Sequence, residues 1–447
     1  MSNDRISKGF KWAWSSRAVS LALNMAFIGY FTYYCTDIIG LTPTLVGTLL
    51  LITKIFDGVT DLIAGVLIDK TNTRWGKARP YQAFILPTWV LTILLFAIPD
   101  IGITGQSVYI IVLYTLIYAI CATFLNASDA VCLFRCVRNE NDRVSVTSFA
   151  GAATMFCAIL FSIVMPQLIQ RMGGTGSGWT MMAAVFGIPL GFIGLIRFFY
   201  CKETIEVDVA KEKASQVPLK ESIKLLFKNK YIFIISFILF LFYIYNGIST
   251  AVNTYFYKYI MGNIGVASII AIGNMITPIL IMFVPKLTRK IGTVKFLRYG
   301  MVLGVLGLII RIIGGTNIVT LFIGSIAAMI AILPITTLIN IYIVDCMDYG
   351  EWKNGKRIDG LLSSVTAFSK KLGGGLASAG VGLIMGMAGY NGALETQTAS
   401  ANLSIVALYN YIPLVIFILM LIMSFVYNID KIMPTMKKDL AAKHNKR

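Results

Sequence analysis

The sequence predicts an all-α polytopic membrane protein with twelve transmembrane helices in two six-helix bundles. Its composition is the first reason: 57% of the residues are hydrophobic and 13% are charged, whereas soluble domains carry about 25% charged residues. The second reason is that apolar segments of about 20 residues recur along the chain, the length that a helix needs to cross a bilayer. A membrane-spanning strand would need only about 9 to 11 alternating residues.

Twelve apolar segments can be marked in order. They lie near residues 10–36, 44–68, 82–99, 107–133, 146–169, 178–200, 231–257, 265–285, 297–314, 317–344, 361–388 and 403–427. A charged stretch between the sixth and the seventh suggests a division of the chain. The predicted domains are an N-terminal six-helix bundle at 1–200, a cytoplasmic linker at 201–230, a C-terminal six-helix bundle at 231–428 and a basic cytoplasmic tail at 429–447. Within the linker, Leu219 to Phe227 is amphipathic and is expected to lie along the membrane surface.

The positive charges alternate from loop to loop. The formal net charge is +18, with Lys and Arg concentrated before the first span and after the second, fourth, eighth and tenth. The turn around Asp37 and the loops at 100–107, 314–317 and 389–402 carry no Lys or Arg. By the positive-inside rule both termini are expected in the cytoplasm, for a multi-pass protein of the cell (plasma or inner) membrane. This placement predicts contact with membrane lipids and no nucleic-acid partner.

Several side chains needed for catalysis or metal binding are missing from the predicted spans. The only histidine is His444, in the tail, and the seven cysteines form no CxxC pair. These counts exclude a histidine proton relay, a histidine-ligated metal and a Ser-His pair within the membrane. Cys132 and Cys136 are interpreted as small helix residues. We therefore do not expect this protein to be an enzyme. We expect the first span to be retained in the mature protein, because it lacks a cleavage signal.

Two acids in the second span form the strongest candidate site. Asp57 and Asp61 are one helical turn apart, so they lie on one face of the helix. A charge at the bilayer centre costs about 2.5 to 3.5 kcal/mol, and such acids normally face a cavity and handle an ion or substrate. The pair predicts a site for a cation or a shared proton. The alternative is a structural pair neutralised by Lys54, three residues before Asp57.

Polar side chains continue in the fourth span at helical spacing. Thr123, Asn126 and Asp129 follow one another at i, i+3 and share one face. Packing between helices is an equally good explanation for Thr123. Asp129 has no basic residue near it in sequence before Arg135, which favours an acid that faces a cavity.

The seventh and eleventh spans offer groups for a polar substrate. Lys370 and Lys371 diverge by about 100 degrees around the helix, so only one can face a given site. The Gly373–Gly375 run that follows would let helix backbones approach closely. In the seventh span Asn246, with hydroxyl groups and tyrosines nearby, suits a sugar ring, whereas Tyr255, Tyr257 and Tyr259 are interpreted as an aromatic belt at the outer interface.

Charged residues at the cytoplasmic ends predict a gate whose salt bridges close the inner face and break when it opens. The candidates are Asp69, Arg74, Arg79, Arg143, Asp345, Asp348 and Arg357.

Three long motifs carry a family resemblance. The segments DGVTDLIAGVLIDKTNTRWGKARPY, RNENDRVSV and DCMDYGEWKNGKRIDGLLSSVTAFSKKLGGG resemble those of the glycoside-pentoside-hexuronide:cation symporters. The resemblance implies a fold of the major-facilitator type and sugar uptake coupled to Na⁺, Li⁺ or H⁺ by alternating access. It implies that Asp57 and Asp61 bind the cation, that Thr123 is a hydroxyl ligand, and that Lys371 lies near sugar and cation. The expected partners are a small sugar and a monovalent cation, with no cofactor or metal beyond that coupling ion.

The chain departs from the family pattern where the sugar binds. Residues 10–36 contain no acid, Asn126 stands at the acid of the fourth span, and Ala130 replaces an aromatic residue one turn later. Arg17 and Lys371 together would suit an anionic sugar such as a hexuronide. The expected substrate-binding residues are Asn126, Asp129, Lys371, Arg17 and Asn246. The alternative function is a cation-coupled carrier of lysophospholipids or other amphiphiles. A membrane enzyme is not expected, because it would need a nucleophile-base pair that this chain does not show.

Overall fold

A computed structural model describes residues 6–204, 229–354 and 359–444 of the chain. The amphipathic stretch Leu219–Phe227 and most of the predicted linker lie outside these residues. Every predicted apolar segment contains a helix. Within the described residues, nine helices are long and apolar enough to cross a membrane. The protein is therefore an all-α, multi-pass membrane protein, and the number of twelve crossings stays a prediction.

The described residues 6–204 contain nine α-helices. They are α1 Lys8–Ile28, α2 Phe31–Tyr33, α3 Pro43–Lys70, α4 Arg79–Gln82, α5 Ile85–Leu95, α6 Gly102–Thr115, α7 Thr123–Cys136, α8 Glu140–Met172 and α9 Gly176–Tyr200. Wider π-helical segments extend α2 at Tyr34–Ile38 and join α6 to α7 at Leu116–Ala122. Asp37 lies near the end of the first segment, and Thr123 directly follows the second. Segments of π-helix are frequent at functional sites.

The described residues 229–354 and 359–444 contain nine further α-helices. They are α10 Lys230–Tyr255, α11 Val266–Gly273, α12 Thr277–Ile291, α13 Thr293–Gly314, α14 Ile318–Asn354, α15 Asp359–Met387, α16 Ala399–Val406, α17 Ile412–Val426 and α18 Met433–His444. A π-helical segment at Phe256–Ile260 extends α10, and another at Ala407–Tyr411 joins α16 to α17. The predicted basic tail is thus helical over most of its described length.

The helices group into two compact units that do not follow the order of the chain. Unit 1 consists of Met1–Val207, Thr250–Ile272 and Ser378–Ile405, and unit 2 of Asp208–Ser249, Gly273–Ala377 and Val406–Arg447. The two predicted bundles, at 1–200 and 231–428, stay a prediction.

Unit 1 is held together by apolar packing and by hydrogen bonds between helices. Helix α1 packs against α5, α8 and α9, and α3 packs against α6 and α7. The Trp89 indole N–H donates to the Ser20 hydroxyl at 2.9 Å, and the Asn24 amide donates to the Thr92 hydroxyl at 2.9 Å. Small residues bring α3 and α15 close, since a Cβ on Gly47 would lie 3.0 Å from the Gly382 Cα. Polar contacts and small residues of this kind drive helix association in membranes.

Unit 2 is built around α13, which packs against α14 and α17. A Cβ on Gly307 would lie 2.6 Å from the Ala327 Cβ and 2.9 Å from the Gly324 carbonyl oxygen. Glycine at this position therefore sets the separation of α13 and α14. Near the start of α13, the Arg298 Nε donates to the Ser424 carbonyl on α17 at 3.0 Å.

Large apolar side chains cover the outside of the molecule. Phe192 is 61% exposed, Met282 78% and Ile313 82%. Soluble proteins rarely expose apolar surface on this scale, and larger patches of it mark contact with a membrane or partner. The polar side chains inside and the apolar ones outside fit a protein embedded in lipid.

Candidate functional site

The acids of α3 begin with Asp57, which is buried between α3 and α7. Its side chain is 7% exposed, and the Thr123 hydroxyl donates to its Oδ1 at 3.1 Å. Thr123 is itself 5% exposed and opens α7 directly after the π-helical segment. The helix backbone continues through Asp61 one turn later, but the side chain of Asp61 lies outside the described residues. The structure thus brings together Asp57 and Thr123, two of the three residues expected to bind the cation.

Lys54 lies one turn before Asp57 on the same helix. Its ammonium nitrogen is 3.9 Å from the centroid of the Tyr118 ring, in the π-helical segment that leads to α7. A cation over an aromatic face is stabilised by about 0.5 to 2 kcal/mol. The positive charge of Lys54 is therefore partly compensated by this ring.

The second charged group in unit 1 consists of two arginines that share one carboxylate. Arg17 on α1 and Arg197 on α9 both hydrogen-bond to Oδ1 of Asp129 on α7. Their side chains are 3% and 1% exposed, whereas that of Asp129 is 43% exposed. The Arg197 guanidinium also lies 3.3 Å from the centroid of the Trp14 ring. Arg17 is thus paired inside the protein, the two arginines and one carboxylate carry a net charge of +1, and the accessible group is the Asp129 carboxylate.

The other expected substrate residues are distributed between the two units. Asn126 is exposed on α7 in unit 1, whereas Asn246 on α10 and Lys371 on α15 belong to unit 2. Asn246 is exposed and Lys371 partly exposed. Within unit 2, a Cβ on Gly373 would lie 2.8 Å from the Phe240 carbonyl oxygen, so α15 approaches α10 closely beside Lys371.

The sequence did not reveal the partners of a further buried acid of unit 1, Asp37. Its carboxylate is 0% exposed and accepts hydrogen bonds from the Lys258 ammonium at 2.7 Å, the Tyr259 hydroxyl at 2.6 Å and the Tyr390 hydroxyl at 2.7 Å. The Thr36 hydroxyl lies 2.8 Å from the same carboxylate. We call these five residues the Asp37 cluster. It joins the end of the first predicted span to the end of the seventh and to the loop after the eleventh.

The tyrosines near this cluster differ from the expectation of an aromatic belt. Tyr255 and Tyr257 are 0% and 1% exposed, and the Tyr255 hydroxyl is 2.7 Å from that of Thr36. Burial raises the pKa of Tyr390 well above its usual range, and the neighbouring Tyr255 and Asp37 raise this pKa further. The Tyr390 phenol therefore stays protonated and donates. The belt interpretation was wrong for Tyr255 and Tyr257 because their rings pack inside unit 1. The signal that could have predicted the cluster is a pair of opposite charges, Asp37 and Lys258, at the ends of the first and seventh spans.

The residues expected at the cytoplasmic gate have the following local contacts. The Arg79 guanidinium donates to the Phe198 carbonyl at 2.6 Å, and the Arg143 guanidinium donates to the Val137 carbonyl at 2.7 Å. Arg74 lies over the Trp75 ring at 4.6 Å. In unit 2, Asp345 is 5% exposed, and Asp348 lies one turn later on α14. Arg357 and the side chain of Asp69 lie outside the described residues, so the gate stays a prediction.

The sequence is similar to known transport proteins over nearly its whole length. The family described as "MFS/sugar transport protein" matches residues 17–431. The chain belongs to this family. The "Isoprimeverose transporter" of Lactiplantibacillus pentosus is 31% identical, with 98% of this chain and 92% of that protein covered. The "Putative glycoside/cation symporter YagG" of Escherichia coli (strain K12) is 26% identical, over 89% of this chain and 86% of that protein.

Solved structures agree on the fold of this MFS/sugar transport protein. A bacterial homolog of the human lysosomal transporter Spinster, in an inward-facing and unoccupied conformation, matches with a TM-score of 0.63. The identity is 12%, and the match covers 94% of this chain and 97% of that chain. The fold is therefore of the major-facilitator type, as the arrangement of apolar segments and the resemblance predicted. The glycoside-pentoside-hexuronide:cation symporter resemblance is confirmed as well, because the relatives are named as transporters and symporters of this kind.

Proposed function

We propose that this protein is a secondary active transporter that carries a sugar together with Na⁺ or H⁺ by alternating access. The relatives named for isoprimeverose and for glycoside/cation symport support a glycoside or pentoside as the cargo. Both termini are then cytoplasmic, in line with the charge alternation of the loops. The protein is not an enzyme in this proposal, because its polar groups bind and release an unchanged substrate.

The buried contact between Asp57 and Thr123 is the observation that carries the proposal. A carboxylate that is 7% exposed in a predicted membrane span is costly to bury, and such acids normally handle an ion or a substrate. Carboxylate and hydroxyl oxygens are ligands that hard cations prefer, and a carboxylate also binds a proton. Asp57 and Thr123, with Asp61 one turn further along α3, would bind the coupling ion between the second and fourth spans.

Binding of the ion then couples to binding of the sugar. Neutralising the acids would change the affinity of the protein for sugar, and by linkage the sugar would change the affinity for the ion by the same factor. The 43% exposed carboxylate of Asp129, held by two buried arginines, is suited to accept hydrogen bonds from sugar hydroxyls. Because the exposed group of this site is a carboxylate and both arginines are buried behind it, the site favours a neutral glycoside or pentoside over the hexuronide that the sequence suggested. Asn126, Asn246 and Lys371 stay candidates for further sugar contacts.

Uptake by proteoliposomes tests the coupling site. A panel of neutral glycosides, pentosides and hexuronides is supplied with Na⁺ and pH gradients imposed separately. With one coupled ion, a neutral sugar and no membrane potential, a tenfold ion gradient holds about 1.4 kcal/mol and supports at most about tenfold accumulation. We expect Asp57→Asn to abolish this accumulation, so that internal sugar only equilibrates with external sugar.

The matched control is Asp100→Asn, the same substitution at an exposed acid. It is expected to accumulate sugar as the wild type does. Full accumulation by Asp57→Asn would refute the assignment of the coupling site, and uptake of hexuronides alone would refute the preference for neutral sugars.

A further inference from the structure

A cavity of about 710 Å³ lies in unit 1 at the predicted cytoplasmic end of α3. It is enclosed by the loop between α3 and α4, by Arg135 near the end of α7 and by the segment that follows α9. Its lining includes six basic residues and one acid: Lys70, Arg74, Lys77, Arg79, Arg135 and Lys202, with Glu203. A volume of this size is in the range of small-molecule sites, about 300 to 1,000 Å³.

The one acid in the lining is already bound by the protein. Glu203 is 4% exposed, and its carboxylate accepts backbone N–H bonds from Lys77 at 2.9 Å, Ala78 at 2.8 Å and Arg79 at 2.6 Å. Arg135 adds an ion pair at 3.8 Å. Gly76, with φ of +113°, shapes this seat, because a Cβ there would lie 2.6 Å from the Glu203 Cδ. The carboxylate is therefore turned into the loop and is not available to the other cations.

Three cations of the lining form no ion pair with any acid whose side chain is described. Lys70, Arg74 and Lys202 are exposed, and none has a carboxylate within 4.0 Å among the side chains that the structure describes. The planar guanidinium of Arg74 is held over the Trp75 ring at 4.6 Å. Like charges that converge on one cavity repel one another, and an anion between them would remove this repulsion. Arg and Lys bind phosphate oxygens by charge-assisted hydrogen bonds.

Exposed aromatic side chains lie in and next to the lining segments. Trp75 lines the cavity and is 45% exposed, and Phe199 and Tyr200, which precede the lining residues 202–204 in the chain, are 64% and 55% exposed. Trp and Tyr are enriched where hydrocarbon meets headgroups. At such an interface the basic lining would face the lipid phosphates.

We propose that this basic cavity binds a phosphate group, supplied by the headgroup of an anionic phospholipid or by a phosphate anion in solution. The site is separate from Asp57 and Thr123 and does not depend on the sugar or the coupling ion. A bound phosphate would bridge the end of α3 to the segment after α9, which already contacts the backbone of Lys77, Ala78 and Arg79 through Glu203.

The test compares two triple variants of the full-length protein. Lys70, Arg74 and Lys202 are replaced by Gln in the cavity variant, and Lys286, Arg289 and Lys290 are replaced by Gln in the control. The control residues are exposed at the corresponding end of α12 in unit 2 and remove the same charge. Purified proteins are titrated with phosphatidylglycerol in phosphatidylcholine nanodiscs, and separately with inorganic phosphate at constant ionic strength. Thermal unfolding gives the apparent Kd of each probe.

We expect wild type and control to be stabilised and the cavity variant to bind at least tenfold more weakly. Response to phosphatidylglycerol alone identifies a lipid headgroup, and response to phosphate alone identifies a soluble anion; either supports the site. The single variant Lys202→Gln, at an exposed side chain, is expected to give a smaller loss in the same direction and guards against misfolding of the triple variant. The proposal is overturned if neither probe stabilises the wild type, or if the cavity and control variants bind equally.

Discussion

The Asp37 cluster makes a quantitative prediction about the outer end of unit 1. Alternating access requires contacts at the two membrane faces to form and break in turn. Asp37→Asn removes the carboxylate charge and points an amide group at the Lys258 ammonium. We expect this change to favour the state in which the cluster is open.

The contacts of Asp37 set the size of the effect. Removing one partner of a buried ion pair costs roughly 3 to 5 kcal/mol. Lys258 is 32% exposed, so solvent screens part of its charge and the lower end of this range, about 3 kcal/mol, applies. At about 1.4 kcal/mol per factor of ten, the ratio of open to closed protein rises about 100-fold. Tyr390→Phe removes one hydrogen bond to the same carboxylate and is expected to give about a tenfold rise.

Cys35 is a natural reporter for this opening. It lies two residues before Asp37 and is 0% exposed. A membrane-impermeant maleimide is added to right-side-out vesicles, and the labelling rate of the Cys35 peptide is measured by mass spectrometry. The control Asp100→Asn is expected to label as slowly as the wild type, and Cys35→Ser removes the signal. Equal labelling rates in wild type and Asp37→Asn would refute the role of the cluster as an outer contact.

Three further predictions address the coupling site, the arginine pair and the core of unit 2. Thr123→Val removes a hydroxyl worth about 0.5 to 1.5 kcal/mol and should raise the cation concentration for half-maximal uptake about 3- to 10-fold, whereas Thr123→Ser should not. Asp129→Asn leaves Arg17 and Arg197 without their shared carboxylate and should destabilise the protein by about 3 kcal/mol, which would be measured as a lower Tm. An unchanged Tm would contradict this prediction. Gly307→Leu overpacks the contact between α13 and α14 and should also lower the Tm, while Gly151→Leu, where a Cβ meets nothing within 4 Å, serves as the control.

Much of the fold was predictable because a membrane restricts the secondary structures that a chain can adopt. A backbone in lipid must satisfy its own hydrogen bonds, so long apolar segments become helices. For the same reason an acid in such a segment is conspicuous, which is how Asp57 and Asp61 were identified. Alternating basic loops predicted the orientation in the same local way.

The partners of these acids were not predictable, because they are distant in sequence. Asp129 had no basic neighbour along the chain, yet Arg17 and Arg197 reach it from 112 and 68 residues away. Arg17, which the sequence suggested for an anionic sugar, is consequently an internal counterion. Tyr255 and Tyr257 likewise carried a local pattern typical of an interface, and only packing shows them to be buried.

The sequence by itself determined that this protein is a helical membrane protein with intramembrane acids, since hydropathy and charge are local properties of each span. The tertiary structure decided which groups meet. Asp37 bonds to side chains 221, 222 and 353 residues away, and Thr123 reaches Asp57 across 66 residues. Helix packing determines such contacts, and packing depends on the shapes of whole helices rather than on the residues at either end of a hydrogen bond.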